Sequence, residues 1–164
     1  MKPKKDEFLQ IRLSAEQKES IRNAAKEADT DMSSWILSKV ANSRSVDFSK
    51  IVNKLNSEQQ QTYVYAEIND LLAKCNSTSF STTVMANPTD GLDAFQANYV
   101  AAMVEHCAQK MGELAPAWCN SVSQLQFPHF GSDLKSLKLH LLLNSPLAFR
   151  RRNIFIDSSV GERV

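Results

Sequence analysis

The chain has 164 residues, of which 43 % are hydrophobic, 23 % charged and 8 % aromatic, with only four glycines and five prolines. This composition excludes disordered and collagen-like proteins and favours a folded protein rich in helix. The formal net charge is +1. Taken for the whole chain, that value argues against a strongly basic nucleic-acid binder.

The charges are, however, segregated along the chain. Residues 1–50 carry ten basic and eight acidic side chains, residues 51–132 carry three and seven, and residues 133–164 carry six and three. A mildly basic start, an acidic middle and a basic tail indicate modules with different partners. Near-neutrality of the whole chain therefore does not count against DNA binding by one of its parts.

Three further features concern the compartment. No apolar run approaches the roughly eighteen residues that span a bilayer, and no apolar stretch follows the charged start in the manner of a signal peptide. The three cysteines, Cys75, Cys107 and Cys119, are an odd number without paired spacing. We expect a cytoplasmic protein with reduced thiols, no membrane partner, no metal and no cofactor.

Residues 8–14 alternate strictly between apolar and polar positions, which predicts a short strand with one apolar face. The apolar face consists of Leu9, Ile11 and Leu13, and the other face of Phe8, Gln10, Arg12 and Ser14. A single strand has two unpaired edges. Pairing of two such strands across a two-fold homodimer is the simplest way to satisfy them.

Two helices are predicted after this strand. Ser14 and Gln17 form a capping box at the start of the first helix. Residues 29–31 interrupt it, and Asp31 is a good N-cap for the second helix, which we expect to fade at residues 42–45. The pattern of residues 1–45 thus predicts a strand, a helix, a tight turn and a second helix, in that order.

This pattern over residues 7–45 resembles the ribbon-helix-helix family of bacterial DNA-binding proteins, in particular its antitoxin branch. The resemblance lies in the stretch IRLSAEQKESIRNAAKEADTDMSSWILSKVANS, which has an Arg-Leu-Ser strand end, a helix with paired alanines and a Ser-rich start to the second helix. It implies a dimer whose two-stranded ribbon enters the major groove of double-stranded operator DNA.

The resemblance also implies particular DNA contacts. The outward side chains of the strand, Phe8, Gln10 and Arg12, would face base edges, because Gln pairs with adenine and Arg with guanine. Amides at the start of the second helix, around Ser33 and Ser34, would bind a phosphate. A basic arm formed by Lys2, Lys4 and Lys5 would contact the DNA backbone. Acidic Asp29 and Asp31 lie beside the phosphate position and predict modest affinity per dimer. The alternative is a solvated amphipathic strand with ordinary surface side chains.

The rest of the chain predicts helices over residues 57–75, 92–111 and 133–144, joined by a link at residues 46–56 and a loop at residues 76–91. Ser57, with Gln60 three residues on, suits the start of the first of these helices. In the last helix we expect an inward apolar face made of Leu134, Leu137, Leu139, Leu141 and Leu142.

Adjacent His106 and Cys107 point about 100° apart on a helix, which disfavours a shared metal ion. Cys107 or Cys119 with a histidine is the candidate nucleophile–base pairing, but such a pair occurs by chance in most chains. We therefore expect no enzyme.

The most distinctive passage is the run of three arginines, Arg150, Arg151 and Arg152, ahead of an alternating strand at residues 154–156. With the earlier Ala-Pro-Ala-Trp, residues 92–164 resemble a C-terminal domain that follows DNA-binding modules in bacterial antitoxin-like proteins, similar to the partners of nucleotidyltransferase-type toxins. The resemblance implies that the three arginines meet a carboxylate or phosphate surface on such a partner. The alternative is a solvated run of charges.

The sequence thus predicts a mainly α protein with a ribbon-helix-helix domain at residues 1–46 and a helical, toxin-neutralising domain at residues 47–164. The expected function is that of a type II antitoxin that binds its toxin directly and represses its own operon. Two alternatives stay open: a plasmid copy-control or mobilisation accessory protein that binds DNA without a toxin, and a dimeric adaptor that binds only protein.

Overall fold

The computed structural model describes residues 10–57 and 61–157, with the backbone alone at residues 40–43. Over these residues the protein is mainly helical. Its helices are α1 (Ala15–Glu27), α2 (Met32–Asn53), α3 (Gln61–Ala73), α4 (Ser77–Thr83), α5 (Ala94–Met111), α6 (Ala117–Ser121), α7 (Lys135–Asn144) and α8 (Leu147–Arg150), with a 3-10 turn at Lys54–Asn56. The strands are β1 (His129–Phe130) and β2 (Ile154–Phe155). Within the described ranges, no helix combines the length and the apolar character that crossing a bilayer requires.

The chain divides into two compact units, residues 1–40 and residues 41–164. The division falls inside α2, whereas the sequence placed the domain boundary after residue 46. The second helix was expected to fade at residues 42–45, and that expectation is wrong because α2 continues to Asn53. Phe48, Val52 and Leu55 follow each other at helical spacing and are buried. Their burial offsets the weak helix propensity of the Ser- and Asn-containing stretch before them.

Helix α5 is central to the second unit and contacts α3, α6 and α8. Five consecutive residues, 100–104, are buried, which is the pattern of a helix covered on all sides. Asp93 caps its start by accepting a hydrogen bond from the Gln96 amide at 2.8 Å. The helix ends at Gly112, whose φ of 70° suits a residue without a Cβ. The prediction of a central helix over residues 92–111 is confirmed to within two residues.

Helix α4 lies in the stretch that the sequence predicts as a loop, so that prediction is wrong. Its start is fixed by a capping box in which the Asn76 side chain accepts from the Ser79 amide at 2.9 Å and the Ser79 hydroxyl accepts from the Asn76 amide. Phe80 and Val84 are buried in the main core. Burying these two side chains stabilises a helix in a segment otherwise made of poor helix formers.

The two strands form a small parallel sheet with His129 opposite Ile154 and Phe130 opposite Phe155. The strand predicted at residues 154–156 is present as β2. Its partner β1 lies between the predicted helices at residues 92–111 and 133–144, where the sequence predicts no regular element. Residues 131–153, with α7 and α8, run between the two strands. The sheet therefore holds together the two ends of the segment formed by residues 131–153.

Candidate functional site

The segment before α1 contains the described part of the predicted DNA-contacting strand. Residues 10–14 lie in neither helix nor strand in the single chain, and all five are exposed. Ile11 is 52 % and Leu13 40 % exposed, which is unusual for adjacent members of an apolar face. Phe8 and the lysines of the basic arm, Lys2, Lys4 and Lys5, lie outside the described residues.

The start of α1 is fixed by the predicted capping box. The Gln17 amide donates to the Ser14 hydroxyl at 3.2 Å, and the Ser14 amide donates to the Gln17 side chain at 2.9 Å. This local prediction is confirmed. The box fixes where the chain changes from the extended Ser14 to helix, so a strand ahead of α1 ends no later than Ser14.

The start of α2 is capped by Asp31, also as predicted. Its carboxylate accepts from the Ser34 amide at 2.9 Å and from the Ser34 hydroxyl at 2.6 Å. Ser33 beside it is exposed. A phosphate could reach Ser34 only by displacing this carboxylate. Because carboxylate and phosphate repel each other, Asp31 opposes DNA binding at the helix terminus.

The three consecutive arginines do not share one surface. Arg150 and Arg151 are exposed, whereas Arg152 is buried. The Arg152 guanidinium donates to the Glu105 carboxylate at 2.8 Å and to the Cys119 carbonyl at 2.7 Å. It also donates to the Asn98 side chain at 3.2 Å. Arg152 thus has a structural position inside the second unit, and only the other two arginines are placed to meet a partner.

The candidate catalytic pairing is Cys107 or Cys119 with a histidine, and the surroundings of the two thiols do not favour it. Burial raises the pKa of the Cys119 thiol to about 12, with the negative charge of Glu105 acting in the same direction. Burial likewise raises the pKa of Cys107 to about 11. Both thiols therefore stay protonated at neutral pH, which is the opposite of what a cysteine nucleophile requires. The Cys107 thiol lies against the Leu72 carbonyl at 3.7 Å.

An apolar cavity of about 600 Å³ lies between α3 and α5. Among its lining residues are Tyr65, Tyr99, Met103, His106 and Phe149. The rings of Tyr65 and Tyr99 are 4.4 Å apart between centroids. Burial raises the pKa of both tyrosines, so their hydroxyls are neutral donors. The cavity can bind an apolar group. Its lining includes none of the residues that the sequence predicts for DNA or partner binding.

Four of the five leucines predicted to face inward are exposed, so the predicted inward face is wrong for them. Leu141 is buried, at 5 % exposure, whereas Leu139 is 66 % exposed and Leu134, Leu137 and Leu142 are also exposed. Leu143, which the predicted face does not include, is 69 % exposed. Exposed leucines at helical spacing on α7 form apolar surface of the kind that marks interaction sites. Outside α7, Leu114 and Leu147 are exposed as well. Leucines occur around most of the circumference of α7, more than one face packed on a core requires, and this excess is the sequence feature that indicates an exposed apolar surface.

Over the described ranges, no group of three or more His, Cys, Asp or Glu side chains is arranged to hold a metal ion. The chain matches no model of a known protein family, no curated protein and no solved structure.

Proposed function

We propose that this chain is the antitoxin of a type II toxin–antitoxin system. Its first unit binds operator DNA as a ribbon-helix-helix homodimer and represses the operon, and its second unit binds and neutralises the toxin. The sequence resemblances over residues 7–45 and 92–164 suggest the class, and the geometry of each unit supports one half of the proposal.

The observation that carries the DNA-binding half is the exposed alternating segment directly ahead of two capped helices. Ile11 and Leu13 are exposed in the single chain, and pairing with the same segment of a second copy would cover them. By the alternation, Gln10 and Arg12 then lie on the opposite face of the ribbon. Both are exposed and are of the types that bond adenine and guanine edges.

The toxin-binding half is supported by the second unit. The second unit exposes leucines on α7 and two arginines, Arg150 and Arg151, so it offers both apolar area and positive charge to a partner. A copy-control or mobilisation protein without a toxin has no evident use for such a surface. This favours the antitoxin over the plasmid accessory protein, and DNA binding separates the antitoxin from an adaptor that binds only protein.

The DNA-binding half is tested by titrating the full-length chain onto the duplex that lies upstream of its own reading frame, at several salt concentrations. We expect specific binding whose log affinity falls linearly with log salt, since a protein that contacts Z phosphates has a slope of about −0.9Z. A shuffled duplex of the same length and composition is the control. Equal affinity for both duplexes, or no binding at low salt, would overturn this half.

A further inference from the structure

Four exposed leucines of α7 and α8 are together called the leucine stripe: Leu139, Leu142, Leu143 and Leu147. Their spacing of three and four residues places the first three on one face of a helix with 3.6 residues per turn. Leu141 points away from that face and is buried in the second unit. Helix α7 is therefore anchored on one side by Leu141 and presents the leucine stripe on the other.

Positive side chains flank the leucine stripe at both ends. Lys135 precedes Leu139 by one helical turn on the same face, and Lys138 lies beside it with its ammonium 5.1 Å from the centre of the Phe130 ring. Arg150 and Arg151 follow the last leucine of the stripe and are exposed. Four exposed cations thus lie within four residues, along the chain, of a leucine of the stripe.

Two carboxylates lie near α7 and reduce this positive charge in part. Asp133 is exposed and precedes the helix by two residues. Asp157 lies 3.4 Å from His140 and so has a positive partner when that imidazole is protonated. With two carboxylates against four exposed lysines and arginines, the segment that carries the leucine stripe is net positive.

We propose that the leucine stripe is the surface on which the toxin docks, and that the toxin meets it with an apolar groove bordered by carboxylates. This inference rests on the proposed antitoxin function and adds the docking surface and the chemistry of the partner. Apolar side chains at these spacings are the anchors by which an amphipathic helix occupies a hydrophobic groove. The basic flanks select an acidic border, since like charges across an interface are strongly unfavourable.

A second copy of the chain fits the leucine stripe less well. In a parallel pair of α7 helices, Lys135 and Lys138 of one copy would face the same lysines of the other. In any other pairing of two copies, this net positive segment would still meet a segment of the same sign. Both arrangements bring positive charges together, so charge complementarity favours a partner of opposite charge.

The test uses the full-length chain and the purified product of the reading frame adjacent to its own. We expect the double variant Leu139→Glu/Leu143→Glu to bind that protein at least a hundredfold more weakly than the unsubstituted chain. Both positions are solvent-exposed, so the melting temperature should stay within a few degrees. Leu114→Glu is the matched control, because Leu114 is 91 % exposed but lies outside the leucine stripe, and it should bind like the unsubstituted chain.

A charge-reversal experiment tests whether carboxylates border the groove of the toxin. Lys135→Glu/Lys138→Glu should weaken binding at least tenfold and should lessen its dependence on salt. Lys74→Glu, at an exposed position beyond α3, should leave both quantities unchanged. Equal effects of the reversals at the two places would contradict the acidic border.

The outcomes separate this inference from the proposed function. If the unsubstituted chain binds the adjacent protein and the leucine variants bind it equally well, the docking surface is wrong and the antitoxin proposal stands. If the unsubstituted chain does not bind it, the toxin-binding half of the proposed function fails together with this inference. If the leucine variants instead halve the oligomer mass of the isolated chain in sedimentation analysis, a second copy covers the leucine stripe and the inference is overturned.

Discussion

The Arg152 guanidinium lies 2.8 Å from the Glu105 carboxylate, and the two side chains are only 6 % and 5 % exposed. Glu105 is on α5, and Arg152 lies between α8 and β2. The pair therefore connects the segment of residues 131–153 to α5, the central helix of the second unit. Charges removed from water to this extent require each other, because either one alone would be buried without compensation.

Removal of one member of this pair should be costly. We expect Glu105→Ala to lower the free energy of unfolding by about 3–5 kcal/mol, since it leaves a buried guanidinium without its counter-charge. Urea denaturation followed by circular dichroism measures the change. Arg150→Ala is the control and should change stability by no more than about 0.5 kcal/mol, because its side chain is exposed. A decrease below about 1 kcal/mol for Glu105→Ala would contradict the structural role of the pair.

Asn153 combines a left-handed backbone with a side-chain hydrogen bond. Its φ is 59°, and its side-chain amide donates to the Leu125 carbonyl at 2.6 Å. Asn153→Ala should cost about 2–3 kcal/mol, because it removes the bond and strains the backbone. Asn153→Gly removes the same bond but tolerates the backbone, so it should cost about 1 kcal/mol. The same denaturation measurement compares them, and equal effects would rule out the contribution of backbone strain.

The raised thiol pKa values predict lower stability in alkaline solution. The pKa values of Cys107 and Cys119 in the folded chain are about 11 and about 12, against an ordinary value of 9.0. The unfolded chain therefore loses these protons first as the pH rises, and the folded state loses stability above about pH 9. Each thiol contributes a slope of at most about 1.4 kcal/mol per pH unit.

Unfolding free energies measured by urea titration between about pH 8 and pH 10 provide the slope. Cys119→Ala should flatten it even if the substitution lowers stability at every pH. Cys75→Ala is the comparison variant. A slope unchanged by the removal of Cys119 would show that its protonation is not linked to folding.

Operator recognition should depend on Arg12. We expect Arg12→Ala to weaken binding to the upstream duplex by about 1–3 kcal/mol for each base that the arginine bonds, with toxin binding unchanged. Fluorescence anisotropy with a labelled duplex measures the affinity. Arg22→Ala removes the same charge from α1, where Arg22 is paired with Glu19, and serves as the control. Similar affinities of Arg12→Ala and the unsubstituted chain would exclude the proposed ribbon.

Asp31 provides a test in the opposite direction. Asn is as good an N-cap as Asp, so Asp31→Asn should keep α2 intact while removing a negative charge from the proposed phosphate position. We expect tighter DNA binding by a few fold at low salt, with the gain decreasing as salt screens the charge. Hydrogen exchange of the first turn of α2 checks that the cap is retained. Weaker binding with an intact cap would place the phosphate elsewhere.

The elements that the sequence predicted well are those set by neighbouring residues. The capping box of Ser14 and the N-cap of Asp31 involve partners three residues away, so the pattern contains both members. The continuation of α2 is different, because it depends on the burial of Phe48 and Val52 in the core of the second unit. Arg152 is the clearest such case, since its partner Glu105 is 47 residues away and nothing near the arginine run indicates it.

Helix α7 shows a different limit. Leucines occur around most of its circumference, so their periodicity does not indicate which side faces the core. Packing against the second unit selects Leu141 and leaves Leu139 and Leu143 in solvent. A leucine-rich helix is compatible with both core and interface, so the periodicity alone does not decide between them.

The parallel pairing of β1 and β2 gives α7 a kinetic property. Hydrogen bonds of 2.8 Å join the His129 amide to the Asn153 carbonyl and the Gly131 amide to the Phe155 carbonyl. The segment of residues 131–153, which contains α7, is therefore held at both of its ends. A helix held in this way is pre-organised, and a partner that binds it does not bear the conformational entropy of ordering it. Association on the leucine stripe should then proceed in one step, without a slower folding phase behind the encounter.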